Sequence, residues 1–239
     1  LIDRNGRDVQ GFPIKLKSPA AAPVSVADYD RSRDYRFFIP VSGGDILSFD
    51  GHGQRVSGWE YTPGSAEITS RIRHIRIGKK DYLFALTDKN KVLLLDRRGS
   101  PRHVVETIAE GFMPQKGIHA GRVVIDEGAD IESSGLVYCD SLGSAYRLGF
   151  DDRLEKFPLT TESIREYVAT GGEDEHPWHI AELSPSRLGV FDEKGDPDFE
   201  TRLDGKGYGG LRVYVLQDRA FGVVRADADR IYLYDSKGK

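Results

Sequence analysis

The chain has 239 residues, 38% of them hydrophobic, with 34 basic against 38 acidic side chains and a net charge of -4. That is apolar material enough for the core of one all-β domain, and the even scatter of charge leaves no polybasic block, so nucleic acid is not expected as a partner. No apolar run reaches the ~18 residues of a membrane-crossing helix, so no transmembrane segment is expected in this chain, and the first residues do not read as a signal peptide.

From the N-terminus onward one phrase recurs: an apolar run, Asp, two variable residues and Gly. It reads Leu1-Ile2-Asp3-Arg4-Asn5-Gly6 and returns around Asp50-Gly51-His52-Gly53, Asp96-Arg97-Arg98-Gly99, Asp192-Glu193-Lys194-Gly195 and Asp235-Ser236-Lys237-Gly238. A sixth copy, around Asp151, has Leu154 where the Gly should stand. Asp bonds the backbone ahead of it and Gly supplies a positive φ, so the phrase predicts a strand entering a tight hairpin turn. Neighbouring pairs keep step, with Gly11-Phe12 and Gly58-Trp59 47 residues apart, as are Asp34-Tyr35 and Asp81-Tyr82. A period near 45 residues with short strands predicts an all-β β-propeller of four-stranded antiparallel blades. A single domain over 1–239 is expected, with five to six repeats near 1–16, 24–62, 70–108, 122–159, 176–203 and 211–239.

Residues 1–16 read as strand, turn, strand, and the Pro- and Ala-rich 18–23 as a connector. Strands are then expected at 24–27, 35–40, 45–50 and 56–61; at 73–77, 82–86, 91–96 and 103–108; and at 122–125 after a loop insertion over 110–121. Over 160–168, Ile164, Tyr167 and Val168 at i, i+3, i+4 behind a capping-type Thr predict a short helix. Further strands are expected at 179–183, 187–191, 212–216, 220–225 and 230–235. The last blade lacks an outer strand, which 8–16 is a candidate to supply; the alternative is a larger propeller of which this chain is a piece, as its opening within a strand-turn unit suggests.

The lone Cys139 lies in an apolar run and is expected to be an inert buried thiol. Of six His residues, only His176 and His179 stand beside several acids, and Pro177 excludes the helix that would put both on one face. No zinc cysteine cluster, metalloprotease helix, nucleophile elbow or phosphate-binding Gly loop is present in the sequence. Asp28, Asp30 and Asp34 alternate in a loop before a strand, as oxygen ligands for calcium do. The stretch resembles the calcium loops of FG-GAP and VCBS propeller repeats, which implies a degenerate calcium loop at Asp28, Asp30 and Asp34: Arg33 stands in the place of the family's turn Gly, and the next repeat keeps only Asp81. The chain's 24 aromatic residues mostly fall in strands, but Trp178 and Tyr208 fall in loops, as exposed contacts for a partner would.

The strand, Asp, turn Gly and Gly58-Trp59-Glu60-Tyr61 of residues 46–61 resemble a repeat of the PQQ-like propellers, with Phe12, Phe157 and Phe199 at places comparable to Trp59. That resemblance implies a bacterial, extracytoplasmic protein, periplasmic or at the cell surface, of a group holding both quinoprotein dehydrogenases and non-catalytic scaffolds. One cysteine excludes the adjacent cysteine pair of several of the dehydrogenases. The expected function is a non-catalytic protein-interaction scaffold with a protein partner and no cofactor besides calcium. The alternative is a ligand- or glycan-binding or hydrolytic propeller with a site at its central channel.

Overall fold

The computed structural model describes residues 1–89, 91–105, 124–126, 130–139, 144–160, 166–169, 179–184, 186–192, 194–202, 211–215, 221–226 and 231–235. The 110–121 insertion, Trp178, Tyr208 and the last Asp-x-x-Gly turn beyond Asp235 lie outside them. The chain forms two compact units, Leu1–Ile108 and Ala109–Lys239. Each is built of antiparallel β-propeller blades, and the described residues hold strands and no helix.

In the first unit, blade one is a three-stranded sheet of β1 (Ser25–Ala27), β2 (Arg36–Val41) and β3 (Asp45–Asp50). Blade two is a four-stranded meander of β4 (Arg73–Ile77), β5 (Lys80–Leu86), β6 (Val92–Leu95) and β7 (Pro101–Val105). Central strand β2 is buried on both faces, and its period-2 geometry splits the core in two. Phe37, Ile39 and Val41 join Leu47 and Phe49 on one side, where Phe12, Ile14 and Leu16 cover them. Phe38 turns the other way and packs with Ile46, Leu83, Ala85 and Leu95, closing blade one onto blade two. The edge strand β7 starts with Pro101 and leaves Arg102 and His103 exposed, both of which discourage further pairing.

Three predicted strands are absent here: both of those read within 1–16, and the one at 56–61. Residues 8–16 form no strand: beyond the isolated bridge from Asp8 to Ile2 they make no ladder, and their alternate apolar side chains lie on β2 and β3. Residues 56–61 also leave the sheet, because Gly58 takes a positive φ and the chain crosses to blade two. There the Glu60 amide donates to the Arg98 carbonyl (2.7 Å), and its carboxylate meets the Arg98 guanidinium and the Ser100 hydroxyl. The edge of β3 is capped without a fourth strand. The Val56 amide donates to Ser48 O (3.1 Å), the Trp59 indole Nε1 to Ile46 O (2.7 Å) and the Tyr61 hydroxyl to Gly44 O (3.2 Å). These are alternate carbonyls of one edge, so a turn and two aromatic side chains satisfy groups that would otherwise face an unpaired edge.

In the second unit, blade three comprises β8 (Val124–Asp126), β9 (Gly135–Cys139), β10 (Ser144–Gly149) and β11 (Leu154–Pro158). Blade four comprises β12 (Glu166–Ala169), β13 (His179–Ser184), β14 (Arg187–Phe191) and β15 (Pro197–Arg202), and blade five β16 (Arg212–Val215), β17 (Phe221–Ala226) and β18 (Ile231–Tyr234). Along β13, Ala181 and Leu183 pack with Val137 and Ala145 of blade three, while Ile180 faces Leu211 and Val223 of blade five. The helix expected over 160–168 is corrected where it is described. Residues 166–169 are β12, with Tyr167 opposite Ala181 and Val168 opposite Ile180. Residues 161–165 lie outside the described residues. A ladder partner outweighed a three-residue helical period, and aromatic and β-branched residues favour the strand.

The repeated turn has the bonding its residues dictate. The Asp50 carboxylate accepts the amides of His52 (2.9 Å) and Gln54 (2.8 Å), and the Gly53 amide donates to Asp50 O (3.1 Å). Asp3, Asp96 and Asp192 do the same with residues two, three and four ahead. These amides hold the carboxyls of Asp3 and Asp50 below the usual carboxylate range. The sixth copy is offset from the expected register. Gly149 opens that turn, with the Asp152 amide bonded to its carbonyl and Asp152 at φ 68 in place of the glycine. Asp151 is two residues into the turn, its carboxylate filling the space beside Gly149 and accepting the Arg153 amide (3.3 Å). Asp192→Ala removes the carboxylate oxygen that accepts two amides and is expected to cost about 1–2 kcal/mol in thermal unfolding. Asp151→Ala removes one long amide bond and an exposed ion pair with Arg153, which together contribute little, so an equal loss in the two variants would contradict the offset.

Candidate functional site

The loop edge of the first unit holds its densest set of chemical groups. The β1–β2 loop there carries Asp28, Asp30 and Asp34, and β4, β5 and the Asp96 turn of blade two bring His74, Arg76, Asp81 and Arg97 against it. Asp28 organises the loop from within: its Oδ1 accepts the Ser32 amide and its Oδ2 the Arg33 amide, both at 3.0 Å. The tight path puts Arg31 at φ 53 and Arg33 at φ 68, so Arg33 adopts the left-handed backbone that a glycine would hold without strain.

Asp30 faces outward and meets Arg97, whose Nη1 and Nη2 donate to its two oxygens at 3.1 and 2.9 Å. That pairing lowers the Asp30 carboxyl and raises the Arg97 guanidinium. Arg97 also donates to Asp81 Oδ2 from Nε (2.8 Å) and Nη2 (2.5 Å), and its Cζ lies 4.6 Å from the centre of the Tyr29 ring. Asp81 is 8% exposed, and its Oδ1 takes His74 Nε2 at 2.7 Å and Arg76 Nε at 3.1 Å. Burial alone would raise the Asp81 carboxyl, but the bonds from His74, Arg76 and Arg97 outweigh it and hold it down to about 2. Arg76 Nη2 completes the loop contact on Tyr29 O (3.0 Å), and the Tyr29 and His74 rings meet edge to face at 4.9 Å. Burial raises the Tyr29 hydroxyl, which has no hydrogen-bond partner among the described residues.

These groups compensate one another. Asp28 is used by backbone amides, Asp30 by Arg97 and Asp34 by Arg36 Nη1 at 2.5 Å. Of the three acids expected as calcium ligands, only Asp30 meets the Arg97 guanidinium, and among the described residues no three His, Cys, Asp or Glu side chains are grouped to hold a metal ion. With these carboxylates occupied, melting curves in millimolar calcium and in chelator are expected to coincide; a calcium-dependent rise lost in Asp28→Ala would establish the metal reading. Chemically the cluster is a clamp, fixing the loop of blade one on the turn of blade two. Of its members, Asp81 was visible in the sequence as the acid kept in the second repeat. Arg97, a variable residue of the Asp-x-x-Gly phrase, carried no signal. In the second unit His179 is buried in β13, paired with Ala169 and Phe191, while His176 lies outside the described residues. Among the described residues no helix is long and apolar enough to cross a membrane.

No family model matches the chain, and no curated protein does. Solved structures do. The chain is similar to BBS1N in complex with ARL6DN, with a TM-score of 0.57 at 14% identity over 97% of this chain and 66% of that one. It is similar to BamB from Moraxella catarrhalis, with a TM-score of 0.52 at 15% identity over 93% of this chain and 76% of that one. It is also similar to Sqt1 from Saccharomyces cerevisiae, with a TM-score of 0.62 at 10% identity over 97% of this chain and 63% of that one. The chain therefore spans just under two thirds of BBS1N and of Sqt1. At these identities the likeness is one of fold, and the fold is the β-propeller.

Proposed function

We propose that this chain is a non-catalytic β-propeller module of the PQQ-like kind that holds a protein partner on its loop edge, outside the cytoplasm. The observation that carries the reading is the clamp of Asp30, Asp81, Arg76 and Arg97, which fixes a charged loop in one conformation while its functional groups satisfy each other. Such an arrangement suits presentation of a surface better than proton transfer or nucleophilic attack, which need a group left poised. The similarity to BBS1N, itself solved in complex with ARL6DN, adds support from the fold. The extracytoplasmic placement rests on the PQQ-like resemblance of Gly58-Trp59 and its neighbours.

The test is affinity purification of the chain from fractionated source cells, followed by reconstitution with the purified candidate. One protein binding directly, from an extracytoplasmic fraction, and losing affinity when exposed Arg31 and Arg33 are changed to Glu is the expected result. A partner found only in the cytoplasm would overturn the placement. No direct partner, with turnover of a small substrate instead, would overturn the scaffold reading.

A further inference from the structure

Away from the clamp, a groove of about 320 Å³ runs between the segment 15–18 and blade one, lined by Lys15, Leu16, Lys17, Val41, Leu47, Phe49 and Arg55, with Asp45 at its side. Its apolar lining is the β2–β3 face described above, and the Arg55 guanidinium lies 5.0 Å from the Phe49 ring centre. Lys15, Lys17 and Arg55 are exposed and form no ion pair among the described residues. On a chain of net charge -4, three unpaired cations around one apolar trough are a local reversal of sign. The groove wall has a second property. Residues 13–18 make no backbone hydrogen bond among the described residues, although their alternating burial is that of a strand.

We infer that this groove binds an extended acidic peptide segment of a partner protein, with carboxylates on Lys15, Lys17 and Arg55 and an apolar side chain in the trough over Leu47 and Phe49. An extended peptide supplies what each part lacks: anionic side chains for the cations, an apolar anchor for the trough, and backbone donors and acceptors for the unpaired wall. A phosphate polymer would meet an apolar surface and the Asp45 carboxylate and would use neither the trough nor the wall. The assignment deepens the protein-binding role proposed above and rests on it, adding a face and a partner chemistry.

The probe is a fluorescein-labelled peptide of alternating Glu and Leu, followed by anisotropy at low and at raised salt, with a Lys-Leu peptide, heparin and phosphatidylglycerol vesicles as competitors. Saturable binding of the acidic peptide is expected, weakened about tenfold by Lys15→Glu/Lys17→Glu and by raised salt. Because both lysines are exposed, the variant should melt with the wild type. No binding, binding unchanged in the variant, or displacement by heparin or vesicles at lower concentration than by unlabelled peptide overturns the assignment. If the native partner isolated above still binds the Lys15→Glu/Lys17→Glu variant, the groove falls and the scaffold reading stands. If the peptide binds through the lysines and no native partner exists, the reverse holds.

Discussion

Gly11→Ala is expected to cost about 3 kcal/mol and to lower the melting temperature by roughly 10 °C, with the chain otherwise folding as before. A Cβ on Gly11 would lie 1.9 Å from the His52 carbonyl oxygen and 2.7 Å from its carbon, both backbone atoms of the Asp50 turn. Gly53 meets the same approach from the other side, 2.3 Å from Gly11 O. Both residues also have positive φ, at 89° and 73°. The internal control is Gly6, at φ 76° with nothing within 4 Å of its Cβ. Gly6→Ala pays only the backbone cost of about 1 kcal/mol. Gly11→Ala and Gly53→Ala open one gap between them, so the double variant should lose less than the two single losses together. Equal melting of Gly6→Ala and Gly11→Ala would mean that the two turns do not touch.

That contact explains why the period was readable and the pairing was not. Residues 1–12 repeat residues 48–59 bond for bond: Val9 N to Leu1 O matches Val56 N to Ser48 O, and Phe12 N to Val9 O matches Trp59 N to Val56 O. Local chemistry of Asp, Gly and an aromatic dictates such turns, so the sequence displays them. Whether the following residues add a strand depends on distant groups. Residues 56–61 are alternating enough to be a strand, yet Trp59 and Tyr61 reach the β3 carbonyls by side chain while their backbone passes to blade two. At Gly149 the failure was one of register, because Asp152 can hold a left-handed φ in place of Gly and Asp151 drew the alignment two residues too far.

The candidate site was legible by halves for the same reason. Asp28, Asp30 and Asp34 look like a ligand set because alternate acids in a loop are locally what calcium takes. Asp28 and Asp34 bond to near neighbours, but Asp30 meets a residue from elsewhere: Arg97 lies 67 residues from it in the chain. Nothing in a single sequence marks which of many arginines will meet a given carboxylate. The buried partner left a trace, since Asp81 sits 47 residues after Asp34 and is the acid that the second repeat keeps. The two have diverged in use, Asp34 pairing with its near neighbour Arg36 at the surface and Asp81 binding three cationic or ring donors under the loop.

Asp81→Asn should therefore be far more costly than Asp34→Asn, by about 3 kcal/mol at neutral pH, because it leaves His74, Arg76 and Arg97 around a site that no longer carries charge. Arg97 retains Asp30, so the expected damage is loosening of the β1–β2 loop as well as a lower melting temperature. The pH dependence has a definite sign. The Asp81 carboxyl is held to about 2, below its ordinary value near 4, so the folded state binds the proton less readily than the unfolded one. Its contribution, about 2 kcal/mol, is present above pH ~4 and is lost as the pH falls from ~4 towards ~2. Wild-type melting temperature should fall steeply across that window, and Asp81→Asn should fall less, the remainder coming from Asp30 and Asp50, whose carboxyls are also lowered. In a double-mutant cycle, Arg97→Met should cost little once Asp81→Asn is present. Parallel pH profiles for wild type and Asp81→Asn, or additive losses with Arg97→Met, would show that the clamp does not hold the loop.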